Sequence, residues 1–274
     1  MVRIAVKSRL CRGFTLIEML VVIVIMAILG SLLLASVVRA MTLAKIAACK
    51  SNLEQLARAN LTYAGDHEGS YCPAQEPMNL VRWHGARTGV GSAFDASKGF
   101  LSPYLGESQI VKADPLFTGY ISGSSSFEDG SGGYGYNEIY IGGTPQNNFV
   151  PATVLQVPHP ERTVMFTTTA LASGNGIQEY PFCEAPQWVD PSNQLSGSLQ
   201  PSVHFRALGK AVVAWCDGHV TEESPSVLGG DDYYGGNSAK EKIGWFGPTD
   251  NNGFWNPNYQ GTLDAPTVPI SPGD

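Results

Sequence analysis

Positions 19–38, "MLVVIVIMAILGSLLLASVV", hold no charged residue, and about 20 such positions are what an α-helix needs to cross a hydrocarbon core. Ahead of the run, "MVRIAVKSRLCRG" carries Arg3, Lys7, Arg9 and Arg12 and no acid. The positive-inside rule therefore predicts a cytoplasmic N-terminus, a single span and an exported remainder. A secretory signal peptide is the rival reading. Its apolar part is shorter, however, and ends at a small-x-small cleavage site followed by a break in structure. Here "RAMTLAKIAACKSNLEQLARANLTYA", 39–64, contains no Pro or Gly and continues as a predicted helix. One acid stands at the mouth of the run, Glu18. A carboxylate in a spanning helix is costly and usually has a partner, unless it sits at the headgroup level and is solvated.

The stretch "RGFTLIEMLVVIVIMAIL", from Arg12 on, resembles the N-terminal signature of type IV prepilins and type II secretion pseudopilins. The resemblance covers about the first forty residues. It implies cleavage between Gly13 and Phe14 by a membrane-embedded prepilin peptidase that also N-methylates Phe14. It further implies pairing of Glu18 with the N-terminal amine of a neighbouring pilin subunit during filament assembly. A free amine and a carboxylate in a low-dielectric site are each costly alone and tolerable together, so the physics asks for the same pairing. The function expected is a subunit of a type II secretion or type IV pilus-like filament in the inner membrane. The alternative is a membrane-anchored exported protein that binds glycans or substrates and does not polymerise.

On this reading the chain divides into a leader 1–13, a membrane helix 14–38, an amphipathic continuation 39–64, an exported globular domain 65–262 and a Pro-rich tail 263–274. The continuation places Leu43, Ile46, Leu53, Leu56 and Tyr63 at near-helical spacing. "GDHEGSYCP", 65–73, ends it through Gly and Pro. Beyond it, "GGYGYNEIYIGG" at 132–143, "RTVMFTTTA" at 162–170 and "KAVVAWCDGHVTE" at 210–222 are the expected strands. Asp217-Gly218 is placed for a two-residue type I′ hairpin turn. The fold class expected is α+β, a long helix packed on a mostly antiparallel sheet with long loops.

That hairpin, "VHFRALGKAVVAWCDGHV", is similar to the His-x9-Asp-Gly motif of a large group of pilin-like proteins abundant in planctomycetes. Here twelve residues separate His204 from Asp217, so the match is a lengthened variant, while Asp217-Gly218-His219 fits. Ala113 in "VKADP" stands where such proteins often have a Cys. His204, Asp217 and His219 are also a conceivable ligand set, but Asp at an Asp-Gly turn is explained by turn chemistry alone.

The full chain has Lys+Arg 17 against Asp+Glu 24, a formal net charge of −7, and losing the four leader cations makes it more acidic still. That balance argues against nucleic acid as a partner. Cys11 would leave with the leader, so Cys49, Cys72, Cys183 and Cys216 remain. In an oxidising compartment four cysteines allow three connectivities; Cys49–Cys72 with Cys183–Cys216 is the preferred one, free thiols the alternative. No cofactor is expected, with one candidate: calcium, held by acids beside Gly in flexible loops, Glu128 and Asp129 in "FEDGSGG", Asp231 and Asp232 in "GGDDYYGGN". Among the aromatics, Trp83, Trp188, Trp215, Trp245 and Trp255 are expected mainly as core, though an exposed ring would suit a sugar face. No Gly-x-Ser-x-Gly elbow, phosphate-binding loop or His-Glu-x-x-His helix is present, so no enzymatic role is expected.

Overall fold

A computed structural model of the chain describes residues 15–120, 128–190, 192 and 194–261. Gly13, Phe14 and the tail 263–274 lie outside the described residues. One helix, α1, runs Leu16–Asp66, so the two predicted helical segments are continuous. The chain forms two compact units, one ending at Ala44 and the other beginning at Lys45.

In the first unit α1 exposes its apolar side chains, among them Ile17, Val21, Ile25 and Leu29. An apolar surface this long calls for an apolar surrounding, and the helix is long and apolar enough to cross a membrane. The Ser31 hydroxyl donates to the Ile28 carbonyl at 2.8 Å, which satisfies it within its own helix as hydrocarbon requires.

In the second unit α1 buries Ile46, Cys49, Leu53, Leu56, Ala57, Asn60 and Ala64. These recur every three or four residues and form one stripe. Leu43, expected in that stripe, is exposed, because the packed surface begins only after it. The helix closes with Glu68 (φ 54) in the left-handed region, and the Gly69 N–H donates to the Ala64 carbonyl at 2.8 Å, the bond of a Schellman ending.

The stripe lies on a four-stranded antiparallel sheet whose spatial order is Val220–Glu223, Ala211–Trp215, Val164–Thr168, Tyr134–Tyr136. Side chains alternate across it as a strand demands. Val212, Ala214 and Cys216 pack with Leu53 and Leu56 of α1, whereas Ala211, Val213 and Trp215 pack with Phe246 and Trp255 on the opposite face. That second layer includes a three-stranded sheet, Pro225–Leu228, Ile243–Phe246 and Val203–His204. The architecture is α+β, a long helix followed by mostly antiparallel small sheets and long loops.

A polar staple fixes the helix on the sheet. The Asn60 amide donates to the Tyr136 hydroxyl at 2.9 Å and its carbonyl accepts the Cys72 N–H at 2.8 Å, while the Tyr136 hydroxyl donates to the Cys72 carbonyl at 2.9 Å. All three residues are fully buried, and each bond answers a group that would otherwise be orphaned.

Two expected elements differ in detail. Of 132–143, only Tyr134–Tyr136 is strand; Glu138–Gly142 is one π-helical turn. The Asn137 side chain accepts the Tyr140 N–H at 3.3 Å and donates to the carbonyls of Val164 and Trp255 at 2.9 and 3.0 Å, which diverts the chain from the ladder. The hairpin 210–222 forms with Ala211 opposite Glu223 and Ala214 opposite Val220, but not through a type I′ turn. Of the pair Asp217-Gly218 only Gly218 has positive φ, 93°. The Gly218 N–H donates to the Trp215 carbonyl at 2.9 Å and the Trp215 N–H to the His219 carbonyl at 3.0 Å. This is the longer loop in which a turn is followed by a left-handed glycine bulge. A Cβ on Gly218 would meet Leu61 Cδ1 at 3.5 Å, an ordinary contact. Gly218→Ala is therefore expected to lose about 1–2 kcal/mol from backbone strain alone, seen as a lowered midpoint of denaturant unfolding with unchanged slope.

Candidate functional site

At the N-terminal end, Thr15 and Glu18 form a capping box. One Glu18 oxygen, Oε2, accepts the Thr15 N–H at 2.8 Å and the Thr15 hydroxyl at 2.7 Å, and the Glu18 N–H donates to Thr15 Oγ1 at 3.3 Å. The spacing Thr-x-x-Glu is the reciprocal motif that satisfies the first orphaned amides of a helix. This role for Thr15 was legible in "TLIE" but is easily hidden by the question of membrane insertion. The box sits immediately after the expected cleavage point, Gly13–Phe14, which lies outside the described residues. It draws the carboxylate back toward the helix start, and the described residues spend only one of its two oxygens.

The residues of the hairpin motif are not gathered into one site. Asp217 accepts the His219 N–H at 3.0 Å and stands 2.6 Å from His219 Nδ1, while the His219 ring stacks on Trp215 with centroids 5.7 Å apart. His204 is fully buried on the other sheet. Its Nδ1 lies 3.2 Å from Arg206 Nη1, so it accepts from the guanidinium, and its ring meets Tyr120 edge-on. Burial, together with the charges of Arg206 and Lys242, pushes the His204 pKa well below the ordinary imidazole value. The imidazole is thus neutral, with one nitrogen already spent.

What His204 supports is a buried ion pair absent from the sequence expectations. Asp114 and Arg206 are both wholly buried, with Arg206 Nε 2.7 Å from Asp114 Oδ2. The Leu116 N–H donates to the other carboxyl oxygen at 2.9 Å, and the Cys49 thiol approaches Oδ2 at 3.4 Å. The guanidinium also donates to the carbonyls of Thr169 and Gly133, at 3.1 and 2.5 Å, and lies 4.6 Å over the Phe117 ring. Such completeness is what makes a buried pair tolerable. Asp114 stands next to Ala113, the position singled out for its missing Cys, so the clue was one residue away.

The four cysteines are buried free thiols, so neither Cys49–Cys72 nor Cys183–Cys216 is bridged. Cys49 beside Asp114, Cys72 with its thiol 3.2 Å from the Pro73 carbonyl, and Cys216 share the core under the helix, whereas Cys183 lies in the opposite layer. Burial pushes the pKa of every one of them upward, which keeps them protonated and unreactive.

Three of the four calcium candidates are engaged with protein partners. Glu128 forms a buried ion pair with Arg82. Asp231 accepts from the Asn237 amide at 2.8 Å and Asp232 from the Ser238 hydroxyl at 2.7 Å. Asp129 is exposed beside Glu128. Among the described residues no group of three or more His, Cys, Asp or Glu is placed to hold a metal ion. Of the five tryptophans, Trp83, Trp215, Trp245 and Trp255 are buried and belong to the core, whereas Trp188 is half-buried.

Against known proteins, the family model described as the prokaryotic N-terminal methylation motif matches residues 8–34. No curated protein matches the chain, and no solved structure does. The matched residues include Gly13, Phe14, Thr15 and Glu18 and most of the apolar run, so the chain carries a prepilin-type N-terminal methylation signal on a helix fit to anchor it in a membrane.

Proposed function

We propose that this protein is a pilin-like or pseudopilin subunit that is cut after Gly13, methylated on Phe14 and assembled through α1 into a filament of the type II secretion or type IV pilus kind. The methylation motif at 8–34 carries the reading, because it sets the expected cut four residues ahead of Glu18 and in register with the helix start. Membrane insertion follows from the exposed apolar surface, and the basic leader directs the N-terminus to the cytoplasm. The domain from Lys45 onward is then displayed outside. The hairpin at Asp217-Gly218 supports placing the chain with the pilin-like group that bears a His-x9-Asp-Gly motif. In this role His204 contributes by holding Arg206, and the domain's surface, not an active site, carries the specificity.

Mass spectrometry of the membrane-extracted protein, with and without the candidate peptidase, tests this. The expected product begins at N-methyl-Phe14 and appears only with the peptidase. A chain that keeps Met1, or one that starts beyond Val38, overturns the proposal, the first in favour of an ordinary anchor and the second in favour of simple secretion.

A further inference from the structure

A second feature of the domain is independent of assembly. The segment 181–184 is gripped by three indoles. Trp83 Nε1 donates to the Pro181 carbonyl at 2.8 Å, Trp255 Nε1 to that of Cys183 at 3.0 Å and Trp245 Nε1 to that of Glu184 at 3.0 Å. This holds Glu184 rigidly at the wall of a cavity of about 250 Å³. The residue is 5% exposed. One carboxyl oxygen accepts the Tyr180 hydroxyl at 2.6 Å, and the other has no partner among the described residues.

The remaining wall is aromatic: Tyr180, Trp188, Tyr233 and Tyr234 all line the cavity. Tyr233 and Tyr234 are 87% and 59% exposed, and their rings meet edge-to-face at 5.3 Å. They occupy a turn closed by the Gly235 N–H donating to the Asp232 carbonyl at 2.9 Å, and the Gly174 N–H donates to the Tyr234 carbonyl at 2.9 Å. Two large rings presented to water on a pinned turn gain nothing from packing. Beside an unpaired buried carboxyl they have the composition of a cation receptor, in which ring faces and a counter-ion act together.

We propose that this cavity binds an organic ammonium group, with Glu184 as its counter-ion and Tyr180, Trp188, Tyr233 and Tyr234 as the enclosing rings. The groups facing Glu184 are Tyr180, Glu138 and Cys183, with Arg82 and Glu128 acting on Glu138; Asp231 and Asp232 flank the tyrosines. Glu138 is buried with an oxygen of its own that has no partner among the described residues, and burial and the neighbouring Glu184 raise its pKa well above the carboxylate range. Burial pushes Glu184 itself up to about 7, against the opposing pull of the Tyr180 hydrogen bond. The two carboxyls titrate as a pair that gains charge near neutrality, and a bound cation would favour that charge. Affinity should rise with pH through that value.

Equilibrium dialysis of the full chain in a polyoxyethylene detergent tests the site with labelled choline, and in parallel with Nα-acetyl-lysine methylamide to separate a quaternary from a lysine-type ammonium. Saturable binding of either is expected, with 3,3-dimethylbutan-1-ol, the uncharged isostere of choline, weaker by about tenfold or more. Glu184→Gln, which keeps the acceptor for Tyr180, should cost a similar factor and abolish the pH dependence. Tyr233→Ala changes an exposed ring and should weaken binding with no shift in the unfolding midpoint. Failure of both ammonium probes overturns the proposal. So does equal binding of the uncharged isostere, unchanged affinity in Glu184→Gln, or saturation by N-acetylglucosamine in place of the ammonium probes.

Discussion

On the proposed assembly, Glu18→Ala protein is expected to insert into the membrane and to be cut after Gly13, yet to be almost absent from filaments. Insertion survives because the substitution removes a charge from an apolar run and so eases partitioning. Cleavage survives because the cut lies four residues before Glu18. Assembly is expected to fail because, if cleavage makes Phe14 the terminus, its amine and the Glu18 carboxylate are two groups that each need an opposite charge in lipid. In the single chain Glu18 is served by Thr15 through one oxygen only. Packing helices side by side in lipid would leave an amine without a counter-ion if Glu18 were missing. Glu18→Gln keeps the capping-box geometry without the charge, so it separates the two roles: it should retain the helix start and still fail in assembly. Filament yield measured by shearing and immunoblot, alongside the membrane-bound mature pool, reads both. Normal filament yield from either variant would sink the pairing.

The largest stability effect is expected at Arg206. Arg206→Ala leaves the Asp114 carboxylate buried without its counter-charge and takes one donor from each of the Gly133 and Thr169 carbonyls. Removing one partner of a buried pair costs about 3–5 kcal/mol, a large part of the 5–15 kcal/mol that domains generally have. His204 loses the group its Nδ1 accepts from, and the Cys49 thiol loses a cation from its surroundings. The double variant Asp114→Ala/Arg206→Ala should cost clearly less than the sum of the single variants, since no unpaired charge remains. Denaturant unfolding of the four proteins of this cycle measures the difference. Additive effects would mean that the pair is not coupled as its geometry requires.

The sequence by itself determined the membrane run, its helical continuation to about Ala64, the α+β class, the hairpin at 210–222 and the processing signal. Each of these rests on local chemistry: an uncharged stretch of fixed length, unbroken helical residues, short apolar runs bounded by turn residues, a glycine at a turn, and a motif in register. Tertiary structure alone decided what the polar residues do. Nothing local tells Asn60 that it will meet Tyr136 across 76 positions of chain, Asp114 that Arg206 lies 92 positions on, or Glu184 that three indoles from 83, 245 and 255 will fix its loop. It also decided the turn type, because Asp217 needs no left-handed backbone once the loop takes a third residue, and it left the four thiols unbridged, three in the core under the helix and Cys183 in the opposite layer. Burial of polar groups is a property of which distant segments converge. An apolar stripe announces the face that packs, but the partner that satisfies a buried hydrogen-bonding group is chosen only when the layers close.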